Sequence, residues 1–140
     1  MKLFRVIVPV SDIERATAFY ATVLGAPGTR VSPGRHYFDC EGTILACFDP
    51  LADGDPVPVP PNPEHLYLAV DGLTAIYDRC RRAGAAFDES GRLGAGPPGR
   101  IAQRPWGETS FYVRDPFGNP LCFVDARTVF TGAEKPEDPT

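Results

Sequence analysis

The opening grammar of this chain is used twice, and that repeat limits what it can fold into more than any other feature. Phe4-Arg5-Val6-Ile7-Val8-Pro9-Val10 reads as an extended run, and Ser11-Asp12-Ile13-Glu14 follows it. Ser11 and Glu14 have capping-box spacing, in which each side chain can satisfy the other's free backbone N–H. Behind the cap, Ile13, Ala16, Tyr20, Val23 and Leu24 share one helical face, and Gly25 with Pro27 ends the helix. Later, Glu64-His65-Leu66-Tyr67-Leu68-Ala69-Val70 reads as a strand, with Asp71 placed to cap a second helix. Leu73, Ile76, Tyr77, Cys80 and Ala83 form its apolar stripe, and Gly84 stops it. Val10 thus aligns with Val70, Ile13 with Leu73, and Arg5 with His65.

Each helix is followed by strand-like pieces. In the first half, His36–Cys40 and Thr43–Phe48 flank Glu41-Gly42, a tight hairpin turn. In the second half, Arg100–Arg104, Glu108–Arg114 and Pro120–Asp125 are separated by Pro105-Trp106-Gly107 and by Asp115-Pro116-Phe117-Gly118-Asn119. The latter is a turn with a mechanism, since proline presets one dihedral and glycine or asparagine accepts the left-handed one. Each unit is therefore roughly βαβββ, and the fold class is α+β. Neither unit covers its sheet alone, so the two must pack on one another or on a second chain. One domain over residues 1–130 is expected, with modules at about 1–50 and 64–130. A proline-dense stretch over 51–63 reads as an extended, semi-rigid connector. Gly91–Gly99 reads as a flexible loop, and 131–140 as a disordered, charged tail.

Composition removes several function classes. With 14 Lys+Arg against 18 Asp+Glu, the formal net charge of the 140 residues is −4. An acidic chain without a basic cluster is not built to neutralise phosphates, so no nucleic-acid partner is expected. Apolar runs such as Val6–Val10 are too short to span a bilayer, and Ser11 and Asp12 interrupt what would be a signal-peptide core. A cytoplasmic protein without membrane attachment is the expectation. Cys40, Cys47, Cys80 and Cys122 form no C-x-x-C pair and read as free, buried thiols. His36, beside Arg35 at a strand start, reads as a solvated edge residue.

The chain resembles the vicinal oxygen chelate superfamily, which includes glyoxalase I, extradiol dioxygenases and bleomycin-resistance proteins. The likeness rests on the run from Val6 to Tyr20 followed by Leu24-Gly25, and on His65–Val70 before the second helix. Phe111-Tyr112-Val113-Arg114-Asp115-Pro116-Phe117-Gly118-Asn119-Pro120-Leu121 completes it. It implies two tandem βαβββ modules forming a curled mixed sheet with a cup-shaped cavity, often completed in a homodimer. It does not imply one activity, because the scaffold hosts several chemistries and some pure binders.

Enzymes of this superfamily hold a divalent metal with residues from the first and last strand of each module. Carried over position by position, these are Arg5, then Ala46 (or Cys47 one step along), His65 and Cys122. Only His65 is an ordinary ligand there. Arginine has no lone pair to give, alanine has no donor atom, and a lone thiolate beside a guanidinium suits few metals. No metal or other cofactor is therefore expected, with a divalent ion retained as the lesser alternative. Strand alternation turns Arg5, Ile7 and Pro9, and likewise His65, Tyr67 and Ala69, toward the cup. A ligand site of Arg5, Ile7, Tyr37, Phe48, His65, Tyr67, Trp106, Tyr112 and Cys122 follows, with Trp106 on a loop over the mouth. Arg5 inside a cup calls for an anionic ligand or for an acidic partner such as Asp39 or Glu108. Phe130 either anchors the tail or crosses to a partner.

Three functions compete. A metal-free binder of a small aromatic or hydrophobic molecule accounts for the missing ligands. An enzyme of the superfamily, a lyase, isomerase or dioxygenase, would use His65, the single candidate for a catalytic group. A non-catalytic interaction module is the third.

Overall fold

A computed structural model describes residues 1–87 and 99–133. The first module runs β1 (Arg5–Pro9), α1 (Ile13–Leu24), β2 (Thr29–Ser32), β3 (Arg35–Cys40) and β4 (Thr43–Phe48). The second runs β5 (Leu66–Val70), α2 (Leu73–Ala83), β6 (Ala86–Phe87), β7 (Ala102–Gln103), β8 (Thr109–Arg114) and β9 (Pro120–Asp125). The fold is α+β, with one mixed sheet per module and no closure into a barrel. In the first sheet the order is β1-β4-β3-β2, with β1 parallel to β4. In the second it is β5-β9-β8-β6, with β5 parallel to β9 and the short β7 also paired to β8. Each parallel pair joins the first and the last strand of its module, and the strands between them in sequence extend the sheet on the far side of the last strand.

One apolar core lies between each sheet and its helix and runs across both modules. Val8 and Val10 meet Ala16, Phe19, Tyr20 and Val23 of α1, while Phe111, Val113, Leu121 and Phe123 meet Ile76 and Cys80 of α2. α1 and α2 also pack on one another. Helix stripes of period 3.6 and strand faces of period 2 thus share one interior.

The polar seam between modules is built around the β8–β9 turn. Tyr20 donates its hydroxyl to Asp115 Oδ2 at 2.6 Å. Asn119 Nδ2 donates to the Pro9 carbonyl at 2.7 Å and to Asp115 Oδ2 at 2.8 Å. Asn119 Oδ1 accepts from the Asn62 N–H at 2.8 Å, and Asn62 Nδ2 donates to the Ile7 carbonyl at 3.0 Å. Asp115, Asn119 and Tyr20 are buried, so these bonds are shielded from competing water.

Several local expectations are corrected. Asp12, not Ser11, caps α1, accepting from the Arg15 N–H at 3.1 Å. Glu14 instead pairs with Arg30 at 2.8 Å. α2 opens at Gly72 with φ of 69°, and Asp71 makes no capping bond because that left-handed residue occupies the cap position. His65 precedes β5 rather than lying within it. β2 lies outside β3, so His36 is internal and buried, not on a solvated edge. Its Nε2 lies 2.8 Å from the Pro27 carbonyl and its Nδ1 3.3 Å from Arg30 Nε. The connector starts with a single 3-10 turn, Leu51–Asp53. Asp53 pins that turn to the first module by accepting from Ser32, the Gly34 N–H and Arg35. The loop expected over Gly91–Gly99 lies outside the described residues apart from Gly99, as does the tail beyond Ala133. Among the described residues no helix is long and apolar enough to cross a membrane.

Candidate functional site

The face of each sheet turned away from its helix carries the chemistry-bearing side chains. On the first sheet, register places Ile7 opposite Ala46 and Ala46 opposite Tyr37, as the alternation requires. Phe48 lies between Pro9 and Arg35, whose guanidinium sits 4.2 Å above the Phe48 ring. Arg5 is exposed at the start of β1, with its guanidinium 5.1 Å from the Phe4 ring centre and 5.4 Å from that of Tyr37. It is therefore not the buried arginine expected within a cup. The two carboxylates considered as partners are engaged elsewhere. Asp39 accepts from the Gly42 N–H at 2.7 Å, and Glu108 accepts from Trp106 and Phe130.

The second sheet brings the rest together. Cys122 on β9 lies between Tyr67 on β5 and Tyr112 on β8. His65, half-buried, stands edge-on to Tyr112 with ring centres 5.0 Å apart, and 6.3 Å from the Tyr67 ring. Tyr67, Tyr112, Cys122 and Ser110 form a thread of neighbouring polar side chains. Arg104 Nε continues it by donating to Ser110 Oγ at 2.9 Å. Arg104 is buried, donates through Nη2 to the Ser110 and Arg100 carbonyls, and lies 5.0 Å from the Tyr112 ring centre.

Burial dominates the titration of this thread. It pushes the Cys122 thiol up to about 11, partly countered by hydrogen bonds from Ser110 and Tyr112. Burial likewise raises Tyr112, with the neighbouring Cys122 and Tyr67 adding to the effect, and raises Tyr67. At neutral pH Tyr67, Tyr112 and Cys122 are neutral donors and acceptors, and Arg104 is the cation at the end of the thread.

Beside it opens a cavity of about 340 Å³. Tyr67 and Ala69 of β5, Val124 of β9, and Trp106 and Glu108 of the β7–β8 turn line it. Val129 and Phe130, after the last strand, close one side. Glu108 holds this wall in place. Its Oε1 accepts from Trp106 Nε1 at 2.7 Å and its Oε2 from the Phe130 N–H at 2.9 Å. Of the residues expected at a ligand site, Tyr67 and Trp106 line this cavity, Tyr112 and Cys122 lie beside it in the same sheet, and His65 stands just before β5 against Tyr112. Arg5, Ile7, Tyr37 and Phe48 belong to the other sheet. Val124 could have been found by period, two residues from Cys122 on β9. Val129 and Phe130 follow the last strand and carry no periodic signal.

The four positions where the superfamily's enzymes hold a metal do not form a fitting donor set here. Arg5 offers no lone pair, Ala46 no donor atom, and Cys122 keeps its proton in a hydrogen-bonded site. Among the described residues no group of three or more His, Cys, Asp or Glu is placed to hold a metal ion.

Two modules, each a strand and a helix followed by further strands, with the first strand parallel to the last, define the class. The chain belongs to the Glyoxalase/Bleomycin resistance protein/Dioxygenase superfamily, whose sequence model matches residues 2–123. A glyoxalase-related enzyme from Fulvimarina pelagi superposes with a TM-score of 0.68 at 19% identity, covering 89% of this chain and 88% of that one. A glyoxalase/bleomycin resistance protein from Albidiferax ferrireducens gives 0.65 at 25% identity, covering 87% and 96%. Lactoylglutathione lyase from Agrobacterium tumefaciens gives 0.64 at 20% identity, covering 90% and 94%. At these identities the likeness speaks for the fold. No curated protein matches the chain in sequence.

Proposed function

We propose that this chain is a ligand-binding member of its superfamily, holding a small aromatic or otherwise apolar molecule without a metal ion. The observation that carries this is the cavity on the second sheet, walled by Tyr67, Trp106, Val124, Val129 and Phe130 with one fixed carboxylate. Apolar walls with few oriented polar groups are what small-molecule sites use. The donor set at the four metal positions supports the metal-free part. Titration with zinc, nickel, manganese and ferrous ions is expected to show no stoichiometric binding. One tight equivalent of any of them overturns that part.

The binder is further proposed to act in the cytoplasm as a homodimer, a second copy covering the outer sheet faces where Ile7 and Tyr67 stand exposed. Sedimentation at micromolar concentration should give about twice the 15.2 kDa chain mass. A 15.2 kDa species would rule the dimer out.

A second reading, an enzyme using His65, has one observation in its favour: a half-buried imidazole packed edge-on against Tyr112 beside the cavity. It expects a bound ligand to be converted, with conversion lost and binding kept in His65→Ala. A ligand recovered unchanged after prolonged incubation counts against it.

A further inference from the structure

We infer that the cavity selects a positively charged ligand, an amine or quaternary ammonium carried on an apolar body. This rests on the proposal that the cavity is the ligand site and adds the charge of what enters it. Among the described residues lining it, Glu108 alone is charged. Its side chain is held by the Trp106 indole N–H and the Phe130 backbone N–H, one on each carboxylate oxygen. Both donors are neutral dipoles, so the pair fixes the group without cancelling its charge. A carboxylate oxygen has lone pairs beyond the one each donor uses, so both oxygens can still accept from a ligand. Glu108 is 8% exposed, and a charge so withdrawn from solvent is poorly screened by salt.

Three rings line the cavity with this carboxylate. Tyr67, Trp106 and Phe130 are 62%, 39% and 44% exposed, and they come from three separate parts of the second module. A ring face carries the negative lobe of its quadrupole and attracts a cation, most strongly for tryptophan. Carboxylate and rings therefore act with the same sign. An anion meets repulsion from both, and a neutral ligand gains only the burial of its apolar surface. The nearby Arg104 guanidinium does not line the cavity; it is bonded to Ser110 and to the Arg100 carbonyl and lies over the Tyr112 ring. Arg5, the cation that favoured an anionic ligand on sequence grounds, stands on the other sheet over Phe4 and Tyr37. The net charge of −4 adds a weak long-range pull of the same sign.

Trp106 is the only tryptophan, so its emission reports the cavity directly. The probes are benzyltrimethylammonium, its neutral isostere neopentylbenzene, and phenylmethanesulfonate, each titrated into the whole protein. The cation should bind roughly 10-fold or more tightly than the isostere, with the anion weakest of the three. Glu108→Gln keeps an acceptor for the Trp106 N–H while removing the charge, and should bring the cation close to the isostere's affinity. Tyr67→Leu, on an exposed side chain with little risk to folding, should weaken the cation more than the isostere. Equal affinity for cation and isostere, or a cation preference intact in a folded Glu108→Gln protein, overturns the charge selectivity and leaves the cavity as a binding site. Unmoved Trp106 emission with all three probes overturns both.

Discussion

Asn119 shows how much a single residue carries in this molecule. Its side chain bonds the Pro9 carbonyl, Asp115 and the Asn62 N–H, joining the first strand, the β8–β9 turn and the connector. Truncation strands a buried carbonyl and an amide together, so Asn119→Ala should cost ~3 kcal/mol. Tyr20→Phe removes one donor from Asp115, which keeps Asn119, and should cost ~1 kcal/mol. Urea unfolding measures both, and a Tyr20→Phe loss equal to that of Asn119→Ala would contradict the seam described. The thiols form a second residue-level case. Burial lifts Cys47 and Cys80 to about 12 and Cys122 to about 11, so none supplies thiolate near neutrality. A disulfide reagent at pH 8 should titrate the half-buried Cys40 slowly and the other three only after denaturation.

At the scale of elements, the caps show local chemistry yielding to packing. Ser11 and Asp12 are both competent N-caps, and the start of α1 at Ile13, buried in the core, assigns the position to Asp12. Asp12→Ala should therefore cost ~1 kcal/mol, and Ser11→Ala only a few tenths, in thermal unfolding. The reverse order would restore the capping box. The β3–β4 turn is the opposite case, where local chemistry decides alone. Glu41 and Gly42 have φ of 53° and 97°, the paired left-handed residues that a two-residue hairpin demands. Gly42→Ala is strained there and places its Cβ 2.5 Å from Lys2 Nζ, the movable end of a flexible side chain. The backbone, not the contact, sets the penalty.

For the whole molecule, buried acids that keep their protons tie stability to alkaline pH. The thiols of Cys47, Cys80 and Cys122 are ordinarily near 9.0 and are held at about 11 or 12 when folded. Tyr20 and Tyr112 are raised as well, by burial first and by Asp115 and Cys122 respectively. The folded state binds more protons than the unfolded one above pH 9, so this stability is complete below that value and lost as pH rises through 11 to 12. The thermal midpoint should hold between pH 7 and 9 and then fall. A midpoint still rising at pH 10.5 would contradict it.

The two strand–helix–strand modules, the helix stripes, β9 from Pro120 to Asp125 and the Glu41-Gly42 turn were legible in the chain itself. Each depends on short-range periodicity or on a dihedral that few residues accept. β6 at Ala86–Phe87 was not legible, and the strand expected over Arg100–Arg104 is only Ala102–Gln103. Other features depend on contacts far apart in sequence. His36 is buried because β2 is added outside β3, and Arg5 settles over Phe4 and Tyr37. Phe130 reaches the cavity because its backbone N–H meets a carboxylate 22 residues earlier. No local pattern encodes that return of the chain, and only the tertiary structure decides that Glu108, Trp106, Tyr67 and Phe130 share one wall.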